Sequence, residues 1–131
     1  MKIHKCTKKN FDQIINNLNE YWEAEDQQEK YATIKNLHHP MMLYEFGQWA
    51  FVIKEKDLVV AYLFGLLSLD SKDPHGYVHM LATHKKYKGR GLATKLYTHF
   101  TNLARQRGCS YLKAITSAEN KRSIIFYQKS L

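Results

Sequence analysis

His84-Lys85-Lys86-Tyr87-Lys88-Gly89-Arg90-Gly91-Leu92-Ala93 joins a strand pattern to a helix pattern through two glycines. Before it, Tyr77 to Thr83 has the pattern of a strand. After it, Leu92, Ala93, Leu96, Phe100, Leu103 and Ala104 recur at helical spacing. That helix stops at Gly108, a residue suited to the left-handed position that closes a helix. Tyr111 to Ile115 returns to strand. Strand, glycine-bearing turn, helix and strand make a βαβ unit, and ligands of such units sit at the C-terminal ends of the strands. Two glycines let the backbone curl so that successive N–H groups point one way. The helix beginning there adds its positive dipole end. Lys85, Lys86, Lys88 and Arg90 add charge, and the small Ala93 permits close approach. The turn therefore has the chemistry of a phosphate cradle. It is not a dinucleotide fingerprint, which needs a third glycine, nor a Walker loop, which needs Gly-Lys-Ser/Thr.

Working outward, Ile3 to Cys6 reads as a first strand. Asn10, or Thr7 before it, can cap a helix through about Tyr21, with Phe11, Ile14, Ile15 and Leu18 toward the core. Gln27 to Leu37 is a weaker second helix, broken by His38-His39-Pro40. Gln48 to Lys54 and Leu58 to Leu69 are strands joined by the polar turn Glu55-Lys56-Asp57. The first seven residues of the second run, Leu58 to Phe64, are all apolar or aromatic, as a central strand covered on both faces would be. Asp70 to Pro74 is loop, and Asn120 to Lys129 is a last short helix. The expected order is β-α-α-β-β-β-α-β-α: an α/β fold with a mixed sheet and an antiparallel start, in one domain over residues 1–131.

At 44% hydrophobic and 24% charged residues, the composition is that of a globular protein rather than a disordered one. No apolar run approaches the roughly 20 residues of a membrane span. Met1 to Cys6 lacks the apolar stretch of a secretory signal. Cys6 and Cys109 have neither metal spacing nor disulfide density, which predicts a reducing, cytoplasmic setting and no metal. The net charge of +8 is unevenly placed. Residues 1–83 carry nine basic and eleven acidic side chains, whereas residues 84–131 carry eleven basic ones and the single acid Glu119. A basic C-terminal third attracts phosphate-rich ligands, among them nucleic acids and nucleotides such as coenzyme A; a solvated basic face has the same composition. Glu20, Glu23, Glu25, Asp26 and Glu29, with Tyr21 and Trp22, form either the polar exit of a helix or an acidic, aromatic rim for a cationic amine.

Leu81-Ala82-Thr83-His84 through Lys88-Gly89-Arg90-Gly91-Leu92-Ala93 resembles the core motif of the GNAT superfamily of acyl-CoA N-acyltransferases, Arg/Gln-x-x-Gly-x-Gly/Ala. Here it reads Lys88-x-x-Gly91-x-Ala93, and the lysine keeps the charge. Downstream, Asn120-x-x-Ser123-x-x-Phe126-Tyr127-x-Lys129 resembles the family's next motif at the expected distance, so the similarity spans about Val52 to Leu131. The resemblance implies acetyl-CoA as co-substrate. Its contacts would come from Leu81, Ala82 and Thr83 on the strand, from Lys88, Gly89, Arg90, Gly91, Leu92, Ala93 and Thr94 at the turn, and from Asn120 and Ser123 on the last helix. An N–H near Leu81 would hold the thioester oxygen. Asn120, Ser123 and Tyr127 share one helix face, and Tyr127 by its motif position would protonate the departing thiolate. Many relatives carry a Glu two residues before the position of Leu81. This chain has His79 there, which can serve as base or as a structural strand residue; Tyr77 and His75 lie on the same strand.

The implied activity is transfer of an acetyl group to a primary amine, of a small molecule or of a protein, by direct attack in a ternary complex. An acyl-CoA-binding module of weak activity is the alternative. A basic nucleic-acid-binding domain is the more distant one, since no nucleic-acid motif appears and the basic residues gather at the turn. Relatives continue beyond the position of Leu131 with two more strands. Their absence here would leave an edge on the fifth strand, so either a homodimer or reduced stability is expected.

Overall fold

The computed structural model describes residues 1–22, 47–70 and 72–114. The expected helices over 27–37 and 120–129 lie outside them. Five strands form one sheet in chain order: β1 (Ile3–Lys5), β2 (Ala50–Glu55), β3 (Leu58–Ser68), β4 (His75–Thr83) and β5 (Tyr111–Ala114). The first three pairings are antiparallel and β4–β5 is parallel, which is the mixed sheet that the βαβ reading requires. Helix α1 (Lys8–Asn16) covers one face and α2 (Leu92–Gln106) the other. No helix among the described residues is long and apolar enough to cross a membrane.

Each helix has the local chemistry that starts or stops it. Thr7, not Asn10, is the N-cap of α1; its hydroxyl accepts from the Asn10 N–H, and the Asn10 side chain accepts from the Thr7 N–H. The reciprocal pair is a capping box with Asn in the third helical position. The helix is shorter than its apolar pattern suggests. After Asn16 the chain tightens into the 3₁₀ turn Leu18–Glu20, which still points Leu18 inward. At the far end of α2, Gly108 takes φ 86°, with its N–H on the Arg105 carbonyl and the Cys109 N–H on the Ala104 carbonyl. This pair of bonds satisfies two helix-end carbonyls, which is why the helix stops at the glycine.

The sheet separates two apolar clusters. Phe11, Ile14, Leu18 and Tyr21 pack on Val52, Val59, Tyr62, Phe64, Met80 and Ala82; Leu92, Leu96, Tyr97 and Phe100 pack on Phe51, Ile53, Leu63 and Val78. Strict alternation along β4 would put Val78, Met80 and Ala82 on one face. They divide between the two because the β3–β4 register shifts: Phe64 pairs with Met80, but Gly65 pairs with Val78. His79 is the extra residue of this bulge. Strand β3 is the fully covered strand its apolar run predicts, buried from Val59 through Gly65. Gln13 of α1 fastens the β2–β3 hairpin, donating to the Asp57 carbonyl and accepting from the Val59 N–H.

Helix α2 comes close to the sheet where β3 has no side chain. A Cβ on Gly65 would lie 2.8 Å from both Phe100 Cζ and the Tyr77 carbonyl oxygen. Phe100 is fully buried and the oxygen belongs to a strand, so neither yields cheaply. Gly65→Ala should therefore lower stability by about 1–3 kcal/mol, more than the ~1 kcal/mol of Thr7→Ala at the α1 cap. Urea unfolding of both variants measures the order, and an unchanged Gly65→Ala midpoint would contradict this packing.

Candidate functional site

The turn between β4 and α2 is built in two steps. The chain first leaves the sheet through a 3₁₀ turn, Lys85–Tyr87, capped by His84. It then passes Gly89 at φ 81° and Gly91 at φ 75° before α2 begins. Both values lie in the left-handed region, where only glycine is unstrained. A Cβ on either residue would meet nothing within 4 Å among the described residues, so the hollow they shape is open to those residues on that side. Gly91 is the N-cap and offers no side chain to the helix start, and no acid stands in the first turn. The Lys95 N–H returns to the Gly91 carbonyl, whereas the Leu92, Ala93 and Thr94 N–H groups precede any intrahelical partner. An uncapped helix start beside two left-handed glycines has the geometry for a diphosphate, and the basic residues Lys85, Lys86, Lys88 and Arg90 are exposed beside it.

Arg90 also serves the turn itself. Its guanidinium lies 4.7 Å from the centre of the Tyr87 ring, and the Tyr87 hydroxyl donates to Glu55 of β2. That hydrogen bond, with burial and the Glu55 charge adding, raises the Tyr87 phenol above its ordinary value. The turn is thus tied back to the sheet through Tyr87.

Strand β4 enters the site edge-on. The His84 N–H donates to the Val60 carbonyl of β3. Successive N–H groups of a strand point to opposite edges, so Leu81 and Thr83 direct theirs away from β3, toward the β5 side. The described β4–β5 pairing runs from His75 with Tyr111 to Val78 with Ala114. His79 and Tyr77 stand together on this strand, ring centres 5.9 Å apart. His75 is placed otherwise: it stacks on Tyr111 at 5.0 Å, and Nδ1 lies 2.9 Å from the Asp73 carbonyl oxygen. It is at the opposite end of β4 from the turn. Asn120, Ser123 and Tyr127 lie outside the described residues.

Two features escape a reading of the sequence. The bulge at His79 follows from how β3 and β4 meet, and nothing in Tyr77 to Thr83 marks it. The second is the environment of His84. Its Nδ1 accepts from the Lys86 N–H at 3.1 Å, its Nε2 lies 3.4 Å from Glu20 Oε2, and its ring is met edge-on by Tyr21 and Tyr87. Glu20 also reaches Lys85 at 3.5 Å. Tyr21 is buried and donates to the Val59 carbonyl, with burial pushing its phenol up to about 12 and Glu20 adding to the rise. Trp22 donates to the Tyr62 hydroxyl. Glu20, Tyr21 and Trp22 are therefore engaged with the sheet and the turn. The other acids of that stretch lie outside the described residues. The thiols do not compete for a catalytic role: Cys6 and Cys109 are both buried, which pushes Cys6 up to about 12 and raises Cys109.

Comparisons with known proteins agree with this geometry. Residues 11–131 match the acetyltransferase (GNAT) family. The N-alpha-acetyltransferase 30 of Schizosaccharomyces pombe is 35% identical over 54 residues, covering 41% of this chain; the match spans only 36% of that protein's length. The fold matches PH1933 from Pyrococcus horikoshii OT3 with TM-score 0.76 at 20% identity, over 98% of this chain and 85% of that one. It also matches the NatC complex bound to Gag peptide and CoA, with TM-score 0.70 at 16% identity, over 98% of this chain and 82% of that one. With the family matched from Phe11 to the last residue, and the turn of its core motif folded as an open cradle on α2, this chain belongs to the acetyltransferase (GNAT) family.

Proposed function

We propose that this protein is an N-acetyltransferase that takes an acetyl group from acetyl-CoA and gives it directly to a primary amine. The observation that carries the reading is the pair of open, left-handed glycines at the uncapped start of α2. Acetyl-CoA would supply the activated thioester. The Leu92, Ala93 and Thr94 N–H groups would hold its pyrophosphate, with Lys88 and Arg90 offsetting the charge. The Leu81 and Thr83 amides would receive the pantetheine arm, and an N–H near Leu81 would stabilise the carbonyl oxygen as charge develops there.

The acceptor nitrogen must be neutral to attack. In the proposed reaction the new C–N bond forms as the C–S bond breaks. His79, or a water beside it, takes the proton from the amine, and Tyr127 gives one to the departing sulfur. For the acceptor, the family relative named for N-alpha acetylation and the fold relative solved with a peptide and CoA favour an amine at a peptide N-terminus as the first to try.

Three measurements test this. Calorimetry with acetyl-CoA should show binding, and free thiol should appear with at least one member of an amine panel containing N-terminal peptides, lysine side chains and small polyamines. No binding sinks the reading, while binding without thiol release from any amine leaves the acyl-CoA-binding module. Gly91→Ala places a side chain at φ 75°, at a cost of about 1–2 kcal/mol, and should weaken acetyl-CoA about tenfold with little loss of helix by circular dichroism. Tyr127→Phe should lower kcat by roughly 10²-fold and leave acetyl-CoA affinity in place; unchanged turnover would remove Tyr127 as the acid.

A further inference from the structure

His84 lies at the junction of three elements, and each of its polar atoms has a partner in a different place. Its N–H holds β3 through Val60, and its carbonyl accepts from the Tyr87 N–H. Its Nδ1 accepts from the Lys86 N–H, and its Nε2 faces Glu20 at the end of the turn that follows α1. The side chain is only 7% exposed. A ring nitrogen that accepts from a backbone N–H cannot carry a proton, so the ring holds its hydrogen on Nε2, pointed at Glu20. We propose that His84 is a positioning residue for the phosphate-binding turn: its neutral ring fastens the start of the turn to Glu20 and the sheet, and protonation releases it. The function it positions rests on the reading of Lys88 to Thr94 as the acetyl-CoA site.

The physical case is a competition at one ring. Protonating Nδ1 converts the acceptor of the Lys86 N–H into a donor, and the two groups then repel. The charged ring gains from Glu20 but faces Lys85 and Lys86 on the turn. Tyr21, on the element before β2, and Tyr87, on the turn, are the other titratable groups against it among the described residues, and both phenols are neutral at these pH values. Burial outweighs Glu20 and holds the His84 imidazole below its ordinary value, with the two lysines acting in the same direction. A base depressed in the folded state favours folding fully above the ordinary histidine value of about 6.5. That contribution is lost as pH falls through the lower folded value, because the unfolded chain binds the proton first. Mild acid is thus the direction that loosens the turn.

Two measurements decide the proposal. In a ¹⁵N-labelled sample, the His84 ring should show the Nε2–H tautomer at pH 7.5, and the Lys86 amide shift should follow the His84 titration with the same midpoint. Glu20→Gln should move that midpoint to lower pH. Acetyl-CoA affinity is then measured by calorimetry at pH 7.5 and 5.5 for the wild type and for His84→Asn, whose Oδ1 can still accept from Lys86. The ligand's own phosphates titrate equally for both proteins, so the ratio between them is read. Wild-type affinity should fall about fivefold more than that of His84→Asn, the effect of one hydrogen bond, and His84→Leu should be weaker than His84→Asn at both pH values. Thermal unfolding checks that the variants fold, and the wild-type titration needs no variant. A Lys86 amide indifferent to His84, or equal pH dependence in the two proteins, overturns the proposal. A wild type that binds no acetyl-CoA while the two resonances still titrate together would instead overturn the acetyl-CoA reading and leave the His84 coupling standing.

Discussion

The register shift between β3 and β4 governs the molecule. Because the register steps over His79, the strand changes its allegiance midway: Val78 serves the α2 side and Met80 the α1 side. The first half of β4 can then lie parallel to β5. The second half turns Leu81 toward α2 and His84 toward α1. A straight strand with unbroken pairing would give the same residues the opposite faces. His84 would then meet α2 instead of Tyr21, and the turn would lose its connection to the first helix. Bulges often occur where a strand must re-aim a side chain, and this one turns His84 toward Tyr21.

Much of the fold could be read in the sequence because the signals were local. The apolar run from Leu58 to Phe64 announced a buried central strand, and it is buried throughout except at Leu58 on its exposed first position. The stripe from Leu92 to Ala104 and the stop at Gly108 gave α2 to within a few residues, because a glycine end and a helical period are properties of neighbours along the chain. The boundary errors are also instructive. Strand β4 starts at His75, earlier than its apolar pattern, since Ser68 and Leu67 of β3 supply partners that the polar residues at its start do not advertise. Helix α1 gives way to a 3₁₀ turn after Asn16, although Leu18 continues the apolar spacing, because 3₁₀ and α periods both bring Leu18 inward.

The cradle was legible for the same reason: two glycines, four basic residues and a helix start are consecutive. The groups around His84 were not. Glu20, Tyr21, Val60, Lys86 and Tyr87 come from separate parts of the chain, and the role of each depends on the side to which the bulge turns β4. Glu20 looked like one of a run of acids, yet its distances are to His84 and Lys85. A carboxylate in a charged stretch carries no mark of which of its neighbours will meet a distant imidazole.

The pairing of β1 has a consequence for the order of events as the chain is made. Ile3, His4 and Lys5 find their partners in Ile53, Val52 and Phe51, and among the described residues β1 pairs with no other strand. Strand β1 leaves the ribosome before β2 and must stay unpaired with it until β2 has followed, while α1 can form at once on its own cap. The β2–β3 hairpin closes over a tight turn and offers an early template, and closing the long loop back to β1 carries the larger entropic cost. Strand β1 is thus a late addition to a sheet whose centre can assemble without it, although it is translated before that centre.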